Sequence, residues 1–242
     1  MKYIFRFLLS IIFLLIVVYF TAGFYVAYQI LKIDPTCGLH EGSLPNSWST
    51  KVDSHQYSIL SQQRIRENFN YKDYYLDEWQ DVYFQSRDYN IKLNGWLFNY
   101  FPKRPIIIVT HGISPNGKCK SESNIIAGLL IKKKFNVLTI DLRNYGQSDT
   151  VSRYDDLGLK SYNDILGAFD FLKKIGFKSN SIGLHGISLG ASTSIFAAHA
   201  EPEIKAIWSD SSLAEFKMIL KDEIARYGLA IEFGPAVSLA GK

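Results

Sequence analysis

The chain has 242 residues, a length that suits one α/β domain with an additional segment. With 47% hydrophobic and 21% charged residues, it is neither a disordered nor a fibrous chain. The formal net charge of +4 is spread along the sequence, and no basic stripe alternates with aromatic residues, so we expect no nucleic-acid partner.

The first element in chain order is a long apolar run from Phe7 to Leu31. It contains about 25 residues, enough to cross a hydrocarbon core of roughly 30 Å. Lys2 and Arg6 precede the run, whereas Lys32 is the only basic residue between its end and Lys51. This charge bias predicts an N-terminus in the cytoplasm and a domain outside it.

A cleaved signal peptide is the alternative for this run, with 21–23 as a small-residue cleavage site. The apolar run continues past that site and is longer than an ordinary signal core. We therefore predict an uncleaved transmembrane anchor in residues 1–31, with the membrane contacted through residues 7–31.

Residues 32–77 are polar and rich in turn residues, and they contain a charged stretch of helical pattern at 62–67. We predict a linker over 32–77 and a single domain over 78–242. Segments 82–84 and 91–97 flank a turn-prone stretch at 87–90 and predict a hairpin.

After the hairpin, short apolar strands alternate with helical patterns, which predicts a mostly parallel sheet covered on both faces. The strands are predicted at 105–110, 136–140, 181–185 and 204–208, and the helices at 121–135, 159–175, 189–199 and 213–227.

Cys37 and Cys119 are the two cysteines, and they are too far apart and too differently placed for a zinc site. A disulfide between them and a pair of free thiols both remain open. We find no metal or cofactor motif and expect neither.

The pattern Gly186-Ile187-Ser188-Leu189-Gly190 lies between a predicted strand and a predicted helix. A serine on such a sharp turn stands clear of the sheet, and side chains at the flanking glycines would clash. The turn also directs the N–H of Leu189 toward the place where an oxyanion would form.

Two further loops follow strands at the same edge of the predicted sheet. The His111-Gly112 pair can offer the N–H of Ile113 as a second oxyanion donor, although a simple strand-to-loop turn is the alternative. We interpret His111 itself as a structural hydrogen-bonding residue rather than a base. The other loop covers residues 141–149.

This order of motifs resembles the α/β-hydrolase superfamily, most of all its membrane-anchored bacterial branch grouped with serine aminopeptidase-like hydrolases. The likeness covers residues 77–242. It implies that Ser188 is the nucleophile and that Leu189 and Ile113 supply the oxyanion N–H groups. It also implies packing roles in the 141–149 loop for Arg143, Gly146 and Ser148.

The sequence departs from the family pattern in two places. Asn144-Tyr145 replaces the family's common glycine-histidine pair, which we expect to change the lining of the pocket. The family's acid and histidine follow the serine in chain order, but His199 lies eleven residues along the helix, about 16 Å from Ser188.

Asp210 is a candidate for the acid, with a structural helix cap as the alternative. The resemblance also leads us to expect a C-terminally incomplete chain that lacks the family's last two strands and their helices.

We therefore predict a membrane-anchored serine hydrolase that cleaves acyl groups from a small-molecule or peptide substrate through Ser188. Without a base we expect this chain to be inactive. A non-catalytic α/β-hydrolase-like binding module at the membrane is the alternative.

Overall fold

The N-terminal helix α1 and the domain that begins at Lys32 are two compact units. The computed structural model describes residues 2–33, 37, 42–48, 70–88, 90–113 and 119–212. Helix α1 is Lys2–Leu31. Its part Lys2–Tyr25 has 24 residues and contains an 18-residue window with a mean hydropathy of 2.6. This part is long and apolar enough to cross a membrane, and a secretion signal at this place meets the same criterion.

The domain is built on one six-stranded mixed sheet with the strand order β1-β2-β4-β3-β5-β6. The strands are β1 Gln80–Gln85, β2 Lys92–Phe98, β3 Ile106–Thr110, β4 Asn136–Ile140, β5 Ile182–Ile187 and β6 Ile207–Asp210. The helices are α2 Asn124–Lys132, α3 Tyr162–Lys174 and α4 Leu189–Ala200, with short 3₁₀ turns at Tyr71–Tyr74, Lys120–Ser123 and Ser179–Ser181.

The predicted hairpin is confirmed, since β1 and β2 pair antiparallel from Gln80 opposite Leu97 to Gln85 opposite Lys92. β2 also pairs antiparallel with β4. The pairs β3–β4, β3–β5 and β5–β6 are parallel. The parallel part of the sheet is therefore the part that carries the predicted loops.

Some predicted boundaries were wrong. The strand predicted at 204–208 is Ile207–Asp210, and the helix predicted at 121–135 begins as a 3₁₀ turn and ends at Lys132. The helix predicted at 213–227 and any later strand lie outside the described residues.

The alternation of side chains along β3 divides the core into two layers. Ile106 and Ile108 point into the cluster that contains α3 and α4. Val109 points into the cluster that contains α2. Helices thus cover both faces of the sheet, as the short buried strands predicted.

The described part of the predicted linker belongs to the domain's compact unit. Ile33 is buried, and its N–H donates to the carbonyl of Arg153 at 3.2 Å. Lys32 forms an isolated antiparallel bridge with Tyr154. The chain therefore enters the domain at the loop around residues 153–154, one residue after α1 ends.

A disulfide joins Cys37 to Cys119, with their Cα atoms 6.0 Å apart. Both residues are fully buried. Next to this bridge, the side-chain amide of Asn124 donates to the carbonyl of Ser43 at 3.0 Å. These contacts tie the segment before the sheet to the start of α2.

Helix α3 crosses the end of β1 at a distance that admits no side chain at Gly167. A Cβ at this position would lie 2.2 Å from the carbonyl oxygen of Gln85 and 2.8 Å from the Cα of Ser86. Both are backbone atoms, which cannot rotate away.

We expect Gly167→Ala to lower the free energy of unfolding by about 1–3 kcal/mol, because overpacking outweighs the gain in helix propensity. Chemical denaturation in detergent measures this change. Lys174→Ala, at an exposed position of the same helix, is the control and should change stability by less than about 0.5 kcal/mol. A Gly167→Ala variant as stable as the parent would contradict the described packing.

Candidate active site

Ser188 lies between the end of β5 and the start of α4 with φ 53° and ψ −111°. A non-glycine residue with positive φ is strained, and such strain is concentrated at functional sites. A Cβ at Gly186 would lie 2.1 Å from the carbonyl oxygen of Gly190, and one at Gly190 would lie 2.4 Å from that of Thr110. The predicted steric need for both glycines is confirmed.

Backbone hydrogen bonds hold the turn at residues 186–190, which we call the elbow, on both sides. The N–H of Ser188 donates to the carbonyl of Asp210 at 2.8 Å, and the N–H of Gly190 donates to the carbonyl of His111 at 3.1 Å. Between these two groups, the N–H of Leu189 has no hydrogen-bond acceptor within the described residues. As the first residue of α4, it has no acceptor inside the helix either.

The loop after β3 shows the same arrangement. The N–H of Gly112 donates to the carboxylate of Glu122 at 2.7 Å. No hydrogen bond within the described part of the chain uses the N–H of the next residue, Ile113. Among the described residues, the two N–H groups predicted as oxyanion donors therefore have no acceptor, while those of Ser188, Gly190 and Gly112 are bonded. No pattern in the sequence indicated this contact of Glu122.

His111 is fully buried, and both of its ring nitrogens are engaged. Nδ1 lies 2.7 Å from the carbonyl of Gly112, and Nε2 accepts the N–H of Leu142 at 3.2 Å. This pattern requires a neutral ring with its proton on Nδ1. Burial lowers the pKa of His111, which also favours the neutral ring. The interpretation of His111 as a structural residue agrees with these contacts.

The two other described histidines are also poorly placed to act on Ser188. His185 lies three residues earlier on β5, about 10 Å away along an extended strand, and its ring stacks on Trp208. Burial lowers the pKa of His185, and the nearby Asp210 opposes this shift. His199 is near the far end of α4, where the sequence analysis placed it. None of the described histidines is positioned as the base.

Asp210 is the last residue of β6 rather than a residue after it, and it is paired in register with Ile187. Its side chain is exposed, and Oδ1 accepts the hydroxyl of Ser211 at 2.9 Å. Asp210 thus lies at the same sheet edge as Ser188, and its role as an acid stays a prediction.

Asp141 holds the loop after β4 to the 3₁₀ turn at Lys120. Its carboxylate accepts the Lys120 N–H at 2.8 Å and the Lys120 Nζ at 2.6 Å. The ammonium also lies 4.6 Å from the ring centre of Trp96. Because both charged groups are buried, removal of either one would leave the other without a partner.

The residues expected to pack in the 141–149 loop are buried, apart from the half-buried Gly146. Arg143 pairs with the buried carboxylate of Asp164 at 2.7 Å, which joins the loop to α3. The hydroxyl of Ser148 donates to the carbonyl of Asp141 at 2.7 Å.

Asn144 and Tyr145 are both buried, and their effect on the lining of a pocket stays a prediction. Asn144 Oδ1 accepts the N–H groups of Val151 and Ser152, each at 2.7 Å. The hydroxyl of Tyr145 donates to Asp155 at 2.5 Å. The pair therefore supports the following loop, a role visible only when these contacts are known.

Tyr145 also connects this loop to His111, since the two rings meet edge to face with centroids 4.6 Å apart. Burial raises the pKa of Asp155 to about 6, although hydrogen bonds from Tyr145 and Leu157 act in the opposite direction. This carboxyl group consequently titrates close to neutral pH.

The described residues contain no group of three or more His, Cys, Asp or Glu side chains that could hold a metal ion.

A family model described as the alpha/beta hydrolase fold matches residues 105–230, which span the loop after β3, the turn at Ser188 and β6. The chain belongs to the α/β-hydrolase fold family.

Two solved structures of this fold are those of the Pyrococcus furiosus esterase Pf2001. One is 24% identical with a TM-score of 0.55, covering 74% of this chain and 67% of that chain. The other is 26% identical with a TM-score of 0.52, covering 67% and 64%. These structures support the same α/β-hydrolase architecture.

Two curated relatives come from fungi. Thiohydrolase aneE of Aspergillus aculeatus is 30% identical over 138 residues, which are 57% of this chain and 42% of that protein. Acyltransferase drtE of Aspergillus calidoustus is 27% identical over 131 residues, 54% of this chain and 42% of that protein. The match thus spans about two fifths of the length of each relative.

Asp155 makes the stability of this α/β hydrolase depend on pH. Its folded pKa of about 6 exceeds the usual value of about 3.9, so its contribution to stability is fully present below pH ~4 and is lost as pH rises to ~6. Asp155→Asn imitates the protonated acid. We expect it to gain about 1–3 kcal/mol over the parent at pH 7.5 and nothing at pH 4, measured by denaturation at each pH.

Tyr145→Phe is the matched comparison, because it removes a hydrogen bond that lowers the pKa of Asp155. In that variant the loss of stability should extend to higher pH. Identical pH profiles for the parent and Asp155→Asn would contradict the assignment.

Proposed function

We propose that this protein is an acyl hydrolase in which Ser188 is the nucleophile. The observation that carries the proposal is the strained Ser188 elbow, near which the N–H groups of Leu189 and Ile113 have no acceptor within the described residues. The N–H groups of Ser188, Gly190 and Gly112 are bonded, which supports a role for Leu189 and Ile113 as donors to a negatively charged oxygen.

In the proposed reaction, Ser188 Oγ attacks the acyl carbonyl carbon and its proton passes to a base. The carbonyl oxygen becomes an oxyanion that accepts hydrogen bonds from Ile113 and Leu189. The bond to the leaving group then breaks, and the base returns the proton to that group. Water subsequently attacks the acyl-enzyme and releases the acid.

We propose that the base comes from outside the described residues. The rings of His111 and His185 are held elsewhere, and His199 is too distant. Asp210 remains the candidate acid at the sheet edge. A serine without a base is a weak nucleophile, so we expect the 242-residue chain to react slowly if neither His40 nor His55, which lie outside the described residues, serves as that base.

We propose acyl esters and thioesters as the substrate class. The support is the esterase and thiohydrolase names of the similar proteins, whose matched parts include the elbow. Membership of the serine aminopeptidase-like branch, with peptide substrates, remains a further proposal that rests on the motif order and the apolar helix.

A second candidate function is a non-catalytic module that binds an acyl ligand. The engagement of His111 in structural contacts favours it. The two candidates differ in whether an added base can activate Ser188.

We expect a fluorophosphonate probe to label the 242-residue chain on the order of 10⁶-fold more slowly than an intact serine hydrolase, the loss that follows removal of a triad histidine. Added imidazole should accelerate labelling, because it can accept the proton of Ser188. Mass spectrometry of the labelled peptide measures both rates. Ser188→Ala should abolish labelling, whereas Ser192→Ala, one turn along α4, should retain it.

Three results separate the alternatives. No labelling at any imidazole concentration would favour the binding module. Labelling that persists in Ser188→Ala would contradict the proposed nucleophile. Rapid Ser188-dependent labelling without imidazole would show that the chain contains its own base.

We further propose that α1 is an uncleaved membrane anchor and that the domain lies outside the cytoplasm. The length and hydropathy of Lys2–Tyr25 support the anchor. The Cys37–Cys119 disulfide supports an oxidising compartment, because disulfides are rare in the cytosol.

We expect the full-length chain to remain with membranes after alkaline carbonate extraction. In intact cells, a membrane-impermeant protease should digest the domain. After denaturation, thiol-reactive polyethylene glycol should modify the buried Cys37 and Cys119 only if the sample is first reduced. A soluble mature chain that begins near Phe24 would refute the anchor. A protease-protected domain with free thiols would instead refute the orientation.

A further inference from the structure

The loop between β4 and α3 exposes three large apolar side chains within nine residues. Val151 is 55% exposed, Tyr154 is 48% exposed and Leu159 is 69% exposed. We call residues 151–159 the apolar loop. Apolar side chains grouped on a surface mark an interaction site more often than single ones do.

Hydrogen bonds from the buried side chains of Asn144 and Tyr145 hold the first half of this loop, residues 151–155. Asn144 Oδ1 accepts the N–H groups of Val151 and Ser152, and Tyr145 donates to Asp155. Since the backbone is held in this way, the side chains of Val151 and Tyr154 stay on the surface.

Asp156 holds the second half of the loop through hydrogen bonds to the residues that follow it. The carboxylate of Asp156 accepts the N–H groups of Gly158 at 3.0 Å and Ser161 at 3.1 Å. The backbone carbonyl of Asp156 accepts the N–H of Leu159 at 3.1 Å. Leu159, three residues before α3, is consequently held outward.

The apolar loop is also the place where the chain enters the domain. Lys32 bridges to Tyr154, and Ile33 donates to Arg153. Paired strands lie about 5 Å apart, and the interfacial layer of a bilayer is roughly 5–8 Å deep on each side. Lys32 directly follows α1, so a bilayer crossed by α1 would bring Tyr154 within reach of its interface.

We propose that Val151, Tyr154 and Leu159 form a lipid-contacting surface of the domain. The proposal rests on the membrane anchoring proposed above. A tyrosine suits the interface, because its ring is apolar and its hydroxyl is polar.

The charges of the loop are compatible with this contact. The side chains of Arg153 and Lys160 are exposed and can pair with lipid phosphates. The carboxylates of Asp155 and Asp156 instead accept hydrogen bonds from within the domain.

The position of the loop gives this contact a functional consequence. The loop follows the carboxyl end of β4, and Ser188 follows the carboxyl end of the parallel strand β5. Both therefore lie at the same edge of the sheet. Contact through the apolar loop would bring the Ser188 edge toward the bilayer, where acyl substrates with long chains concentrate.

The test uses the full-length chain in nanodiscs of phosphatidylcholine and phosphatidylglycerol at about three to one. Val151→Cys, Tyr154→Cys and Leu159→Cys are each labelled with an environment-sensitive fluorophore, without reductant so that the native disulfide stays intact. The control is Ile175→Cys, which is apolar and 44% exposed but lies past the opposite end of α3.

We expect lipids with a spin label near the headgroup to reduce emission at the three loop positions about twofold or more, and to leave Ile175 unchanged. Emission at the loop positions equal to that at Ile175 would overturn the contact. Photoactivatable lipids added to the unsubstituted protein give a second measurement. The anchor α1 should be crosslinked in any case, and domain crosslinks that fall only outside residues 149–160 would also overturn the contact.

Flotation with liposomes tests the membrane anchor separately from the lipid contact of the loop. A protein that does not float with liposomes would refute both the anchor and the contact. A protein that floats with liposomes but shows no quenching at the loop would refute the contact alone.

Discussion

The turn from β5 into α4 brings main-chain atoms of three parallel strands within hydrogen-bonding distance. Ser188 bonds to the end of β6, and Gly190 bonds to the residue that follows β3. Backbone approaches as close as these leave no room for a Cβ at Gly186 or Gly190. This constraint raises the cost of the turn but also fixes the serine, because its strained backbone is held by neighbours on both sides.

The chemistry of the site follows from which backbone groups this packing leaves unused. The carboxylate of Glu122 accepts a hydrogen bond from the N–H of Gly112, and the carbonyl of His111 accepts one from the N–H of Gly190. The N–H groups of Leu189 and Ile113 have no acceptor among the described residues. If they act as the proposed oxyanion donors, the site needs no reorganisation when a substrate arrives, since their positions are already fixed.

A series of contacts extends from this site to the place where the chain enters the domain. His111 contacts Tyr145, Tyr145 bonds to Asp155, and the backbone next to Asp155 pairs with Lys32. The loop between β4 and α3 thus connects the loop after β3 to the segment that follows α1. Asn144 and Tyr145, where the sequence departs from the family pattern, support this architecture around the site.

The sequence by itself determined the local features: the apolar helix, the order of strands and helices, and the elbow at Ser188. These depend on residue spacing and on backbone sterics over a few positions. Tertiary structure decided which N–H groups remain unpaired, the partners of His111, and the pairing of Cys37 with Cys119. Such contacts join residues far apart in the chain, and no local pattern encodes the distance between them.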